Sequence, residues 1–305
     1  MSDVIEALDL PSWVARAPDD KRHFREAVHI ILSAIGTSRA LRTKMVMKGG
    51  MLMAIRYGSS RFTRDADFST RDRYAKGDEA GLLAEFDAQM ALANEQFSYD
   101  VMCRRQKAEI RPARPDANFP TLGLAIGYAP RSKPRELQRL LAGQAPTVVE
   151  IDYSYNEAVL DVEILRLTDG DSLQVYSQIN LMAEKYRSLL QQPTRRRNRR
   201  QDVYDLALLL RGCHPLDTTE QARLLNCLVA SARARGIEPH RQSLRDPEVR
   251  SMTSEGYDNL QPEIEGALPP FDTVYDAVRD FYEKLPWPVS RSLGLSAAPE
   301  ADRLG

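Results

Sequence analysis

Cysteine is scarce in this chain: there are three in 305 residues, and Cys103, Cys213 and Cys227 form no C-x-x-C pair. An odd number at that spacing argues against a disulfide framework and a cysteine-based zinc site, and leaves reduced thiols. Histidine is nearly as rare, with four scattered residues. His29 falls inside the apolar stretch AVHIILSAI, where a buried and hydrogen-bonded core side chain is expected. Net charge is also small, at −1, which argues against global electrostatic capture of nucleic acid. No run approaches the roughly 20 apolar residues that a membrane span needs. The first residues, MSDVIEALDLPSWVARAPDDK, hold no apolar core of signal-peptide length and carry acids where a transit peptide avoids them. A cytoplasmic protein without a membrane partner is expected.

Hydrophobic residues make up 43% of the chain and charged residues 28%, enough for one large core or two ordinary ones. The small net charge hides local clusters. Residues 101–140 hold nine Lys or Arg against three acids, and Arg195, Arg196, Arg197, Arg199 and Arg200 crowd into six positions. Such clusters suit phosphate contacts, although a solvated face is the commoner meaning of a basic run.

Apolar spacing predicts a helix over 19–35, with Phe24, Val28, Ile31 and Ile35 on one face. TKMVM (43–47) reads as a short strand, Gly49-Gly50 as a turn, and MLMAIRY (51–57) as a two-turn helix. RDADFS (64–69) reads as a second strand. A helix over 79–95 and the strands FSYDVMCRR, TLGLAIGYA and TVVEIDYSY follow, with RPARPDANFP as a loop. Beyond about 175 the pattern turns helical, with one helix through Ile179–Leu189 and another through Val203–Leu210, joined by the polar QQPTRRRNRR. Thr218-Thr219-Glu220-Gln221 offers a capping box for a third helix, and 271–285 suggest a fourth. The stretch 237–262 reads as irregular. The expected fold class is α+β: a mixed sheet with helices over 1–172, a helical domain over 173–290, and a disordered tail over 291–305.

The chemistry sits in residues 48–69. Alternation along a strand puts Asp65 and Asp67 on one face, with Cα atoms roughly 6–7 Å apart. At an effective dielectric of about 20, two charges at that distance repel by about 2.5 kcal/mol. A divalent cation relieves this repulsion, and Mg²⁺ suits one or two carboxylates plus water and phosphate oxygens. Two solvated aspartates on an exposed edge strand would look the same. Just upstream, a strand–Gly49-Gly50–helix turn lets the backbone approach a phosphate at a helix N-terminus. In VVEIDY (148–153), Glu150 and Asp152 alternate onto one strand face, and either could add a third carboxylate if this strand neighbours 64–69. Asp152 is favoured.

KGGMLMAIRYGSSRFTRDADFS (48–69) resembles the nucleotidyltransferase signature of the AbiEii/AbiGii toxin family, in the DNA polymerase β-like superfamily. INLMAEKYRSLL (179–190) and RRQDVYDLALLL (199–210) are similar to that family's lysine-bearing helix and its following Arg-Asp helix. The resemblance implies that Gly49 and Gly50 cradle a nucleoside triphosphate and that Asp65 and Asp67 hold metal. It also implies that Lys185 touches the triphosphate and that Asp202 completes the site, with Asp205 as the alternative alignment. The cofactor implied is Mg²⁺, with Mn²⁺ as a substitute. The activity implied is transfer of a nucleotide from a nucleoside triphosphate to RNA, a tRNA 3′ end among the candidates, by a toxin with a cognate antitoxin. Two other readings stand beside it: an enzyme modifying a small molecule or a protein hydroxyl, and a non-catalytic nucleotide- or RNA-binding module.

Overall fold

The computed structural model describes residues 7–114 and 117–288, so the tail expected over 291–305 lies outside the described residues. In the first half, β1 (Ala7–Leu8), α1 (Leu10–Ala15), α2 (Asp19–Thr37) and α3 (Arg39–Arg42) precede β2 (Val46–Lys48), α4 (Gly49–Arg56) and β3 (Asp65–Ser69). Next come α5 (Glu79–Gln96), β4 (Val101–Arg111), β5 (Thr121–Pro130), α6 (Pro134–Leu141), β6 (Val148–Ser154), β7 (Val162–Leu167) and β8 (Ser172–Tyr176). The second half is helical: α7 (Gln178–Leu190), α8 (Gln192–Arg195), α9 (Arg200–Gly212), α10 (Thr218–Arg233), α11 (Pro247–Ser254) and α12 (Phe271–Lys284).

The strands form one mixed eight-stranded sheet in the order β1-β7-β8-β2-β3-β6-β5-β4. β2 and β3 are central and antiparallel, and β3 runs parallel to β6. Along β3 the even positions Ala66 and Phe68 are buried, while Asp65 is exposed and Asp67 half-buried. The alternation of polar and apolar residues thus decides which face meets the helices and which stays open. On the covered face lies α2, whose Ala27–Ile35 segment is buried all round; a helix of this kind belongs inside the protein. His29 is fully buried there: its Nδ1 lies 2.8 Å from the Tyr99 hydroxyl and its Nε2 3.5 Å from Asp169.

Several local expectations need correction. The sheet runs on through Tyr176, past the expected change at 172, because β8 pairs with both β7 and β2. The cap of α10 is Asp217, one residue before the threonine expected; its carboxylate accepts from the Glu220 N–H while the Glu220 side chain returns to the Asp217 N–H. The stretch 237–262 contains α11, which Asp246 caps and Pro247 opens with its fixed φ. The arginine segment holds the short α8, which ends where Arg196 takes a left-handed φ of 50°.

Candidate active site

The sharp feature is the junction of β2 and α4. Gly49 has φ +72°, a left-handed value that other residues adopt only at a cost. A Cβ at this position would overlap Asp67 Oδ2 and lie 2.8 Å from Asp67 Cγ. The glycine and the aspartate are therefore interlocked: only a residue without a side chain leaves room for the carboxylate. Gly50 is nearly as crowded, with Arg61 Nη2 and Thr63 Oγ1 at 3.0 and 3.1 Å from where its Cβ would be. No side chain caps α4, so its first N–H groups, which have no partner within the helix, open toward the same space.

That space is a cavity of about 760 Å³ between the open face of the sheet and the helices α7 and α9. It gathers Gly49, Gly50, Asp65, Asp67, Asp152, Lys185 and Asp202 from four separate stretches of sequence. Glu150 and Asp205 do not line it. Glu150 sits in register with Asp65 and is exposed, whereas Asp152 is in register with Asp67. Arg195, Arg197 and Arg199 also line the cavity, which puts the arginine segment at its rim.

Charge is balanced here by contacts between distant segments. Burial raises the Asp67 carboxyl and Lys48 opposes it, but Asp65, Glu184 and Asp152 add like charge, and the result is about 7. Lys48, in register with Asp67, gives its ammonium to Glu184 at 2.8 Å and lies 4.0 Å from Glu157. Burial disfavours the Lys48 ammonium, yet Glu184, Tyr176 and Glu157 together raise its pKa above the usual value. Lys185 is buried between two aspartates, with Nζ 3.1 Å from Asp202 and 2.6 Å from Asp205. Asp205 has no exposed surface and also receives Arg61, at 3.3 and 3.2 Å. Despite burial, Lys185 and Arg61 hold the Asp205 carboxyl below the usual range.

Two carboxylates, Asp65 and Asp67, face this cavity side by side. The raised Asp67, half-buried beside Asp65, is a carboxylate that a divalent ion would favour in its charged form. Asp152 is drawn elsewhere, because Arg111 Nη2 lies 2.5 Å from its Oδ1. Among the described residues no three His, Cys, Asp or Glu side chains converge as a ready metal-ligand set. Sequence reasoning missed Lys48, Arg61 and Glu184. Lys48 carried a usable signal, since it directly precedes the two glycines on a strand that can pair with the D-x-D strand.

Two solved structures share the fold. JHP933 from Helicobacter pylori aligns with a TM-score of 0.52 at 13% identity, over 88% of this chain and 93% of its own. An H. pylori protein assigned as a nucleotidyltransferase aligns with a TM-score of 0.50, also at 13% identity, over 88% of this chain and 96% of its own. At that identity the likeness is one of fold. No curated protein matches the sequence. The profile of the nucleotidyl transferase AbiEii toxin family, of type IV toxin–antitoxin systems, matches residues 30–277, and the chain belongs to that family. Membership makes it a nucleotidyltransferase toxin and implies a cognate antitoxin. Among the described residues no helix is long and apolar enough to cross a membrane.

Proposed function

We propose that this toxin transfers a nucleotide from a nucleoside triphosphate to the 3′ hydroxyl of an RNA, with tRNA the first acceptor to test. The observation that carries the reading is the interlock of Gly49 with Asp67 at the uncapped start of α4. Uncapped helix N–H groups beside a carboxylate support this reading, because a triphosphate with its cation requires both an anion site and a cation site close together.

The α4 N–H groups at Gly49 and Gly50 bind phosphate oxygens of the triphosphate. Asp65 and Asp67 hold Mg²⁺, or Mn²⁺ in its place, which when bound supplies charge neutralisation to the triphosphate and acidifies the attacking hydroxyl. The acceptor oxygen bonds to the α-phosphorus, the bond to the bridging oxygen breaks, pyrophosphate leaves, and the hydroxyl proton passes to solvent. Lys185, steered by Asp202 and Asp205, presents positive charge toward the phosphates. Arg195, Arg197 and Arg199 at the rim hold the acceptor backbone. Nearly all the catalysis asked of the protein is position and electrostatics.

The test is to incubate the purified protein and Mg²⁺ with each α-labelled nucleoside triphosphate and total cellular RNA. Label should enter RNA, and a chelator should stop it. Asp65→Asn and Asp67→Asn should each slow incorporation about a thousandfold, the equivalent of roughly 4 kcal/mol in the transition state. Label confined to small molecules or protein would overturn the RNA acceptor, and near-normal incorporation by either folded variant would overturn the metal assignment.

A further inference from the structure

A second cavity, also about 760 Å³, lies beside the first. The two share Asp152, Arg195 and Arg235 as a common wall. The nucleotide chemistry above makes no use of this second space, yet its lining is built rather than incidental. The Arg235 guanidinium stacks on the Phe119 ring, 3.3 Å from its centroid. It is not a loose surface arginine: its side chain is 8% exposed and is tied to Glu157 at 2.7 Å. Phe119 is half-buried and lines the cavity. From the opposite side, Arg111 on β4 crosses the intervening strand β5 to reach Asp152 on β6. It crosses at Gly123, where a Cβ would lie 2.5 Å from Arg111 Nη2. The missing side chain leaves the groove in which the guanidinium lies.

An aromatic ring already stacked on a guanidinium, flanked by further arginines and opening beside the reacting carboxylates, matches the needs of a single-stranded nucleic acid. Such strands bind by stacking bases on aromatic faces while cations follow the backbone. Compact small-molecule acceptors need neither the second space nor the row of guanidiniums along it.

We propose that this second cavity is the subsite for the terminal nucleotides of a single-stranded RNA acceptor. Phe119 with Arg235 forms the stacking platform, and Arg111 and Arg195 contact phosphates. The strand then enters the nucleotide cavity past Asp152 with its 3′ hydroxyl leading. The proposal rests on the RNA-acceptor reading and adds to it the place where the acceptor sits.

The experiment measures binding of a fluorescein-labelled 12-nucleotide single-stranded RNA with a free 3′ hydroxyl, by anisotropy, alongside binding of a labelled nucleoside triphosphate. The proteins compared are the full chain and its Phe119→Ala, Phe119→Leu and Phe119→Trp variants. The leucine variant keeps apolar bulk, so folding is preserved while the stacking face is lost. Alanine and leucine should weaken RNA binding roughly 10-fold or more, the range of one lost base–aromatic stack, while tryptophan retains it. Triphosphate binding should be unchanged in all three. If wild-type protein labels RNA but the alanine and leucine variants bind it equally well, the subsite is wrong and the RNA reading stands. Parallel loss of RNA and triphosphate binding in all three variants would mark Phe119 as structural and overturn the subsite too. If wild-type protein neither binds nor labels RNA, the acceptor reading itself falls, and the subsite with it.

Discussion

A single methyl group tests the site at the residue scale. Gly49→Ala adds a Cβ where Asp67 Oδ2 already lies and forces a side chain onto a φ of +72°. The left-handed backbone alone costs roughly 1–2 kcal/mol, and the displaced carboxylate adds a loss of metal binding. Nucleotide incorporation should therefore collapse in Gly49→Ala, with a lowered melting temperature. Gly50→Ala, which is crowded less closely, at 3.0–3.2 Å by Arg61 Nη2 and by Thr63 Oγ1 and Cβ, and meets no left-handed φ, should be milder in both assays. Equal activity of the Gly49 variant and wild type would disprove the interlock. These residues were legible in the sequence because their signals are local: two glycines in a row, and two acids two apart on a strand. The choice between Glu150 and Asp152, or between Asp202 and Asp205, was not legible. Each pair shares a flank of its element, and only the neighbouring elements decide which member faces the cavity.

Between elements, the site is held by charge. Asp205 on α9 takes Lys185 from α7 and Arg61 from the loop after α4, with no solvent to screen it. Removing one partner of such a buried group leaves charges uncompensated, at about 3–5 kcal/mol. Asp205→Asn should lower unfolding stability by that order in guanidinium titrations; a change under about 1 kcal/mol would mean the network is dispensable. The same logic gives a pH dependence. Glu184 is pushed up by burial but held down by Lys48 and Arg187, to about 2 against an ordinary 4.5. A depressed carboxyl contributes stability that is fully present above about 4.5 and lost as pH falls toward 2. Asp67, raised to about 7, acts in the opposite sense in metal-free protein, withdrawing stability as pH rises from about 4 to 7. Denaturation midpoints measured in chelator from pH 2 to 8 should fall on the acid side, and Glu184→Gln should flatten that limb. Neither network was readable in advance: Lys48 and Glu184 stand 136 residues apart, Arg61 and Asp205 144. Long helices such as α2, α5 and α12 were readable; β7, β8 and α6 were not. These are short, and α6 buries only Leu140.

Across the whole molecule one hydrophobic core runs from Leu8 through Leu285, crossing from sheet to helices without a break. The mixed sheet followed by helices was visible as a change of period; that the two halves share a core was not, since periodicity shows faces and not what they meet. A shared core should unfold once. Thermal unfolding followed by far-ultraviolet circular dichroism and by tryptophan fluorescence should give coincident transitions, and two separated ones would show independent halves. The division of the cavity between the two halves also has a consequence during synthesis. Gly49 and Asp67 leave the ribosome early, but Lys185 follows only after 118 further residues, and the last member of its network, Asp205, after 138, counting each from 67. At roughly 5–20 residues per second, that interval lasts roughly 7–28 s. Until α7 has been made the growing chain has its glycine turn and its first acids but no opposing wall, and a chain stopped before residue 178 should transfer no nucleotide. Only a chain that has reached α9 carries every residue assigned to the site.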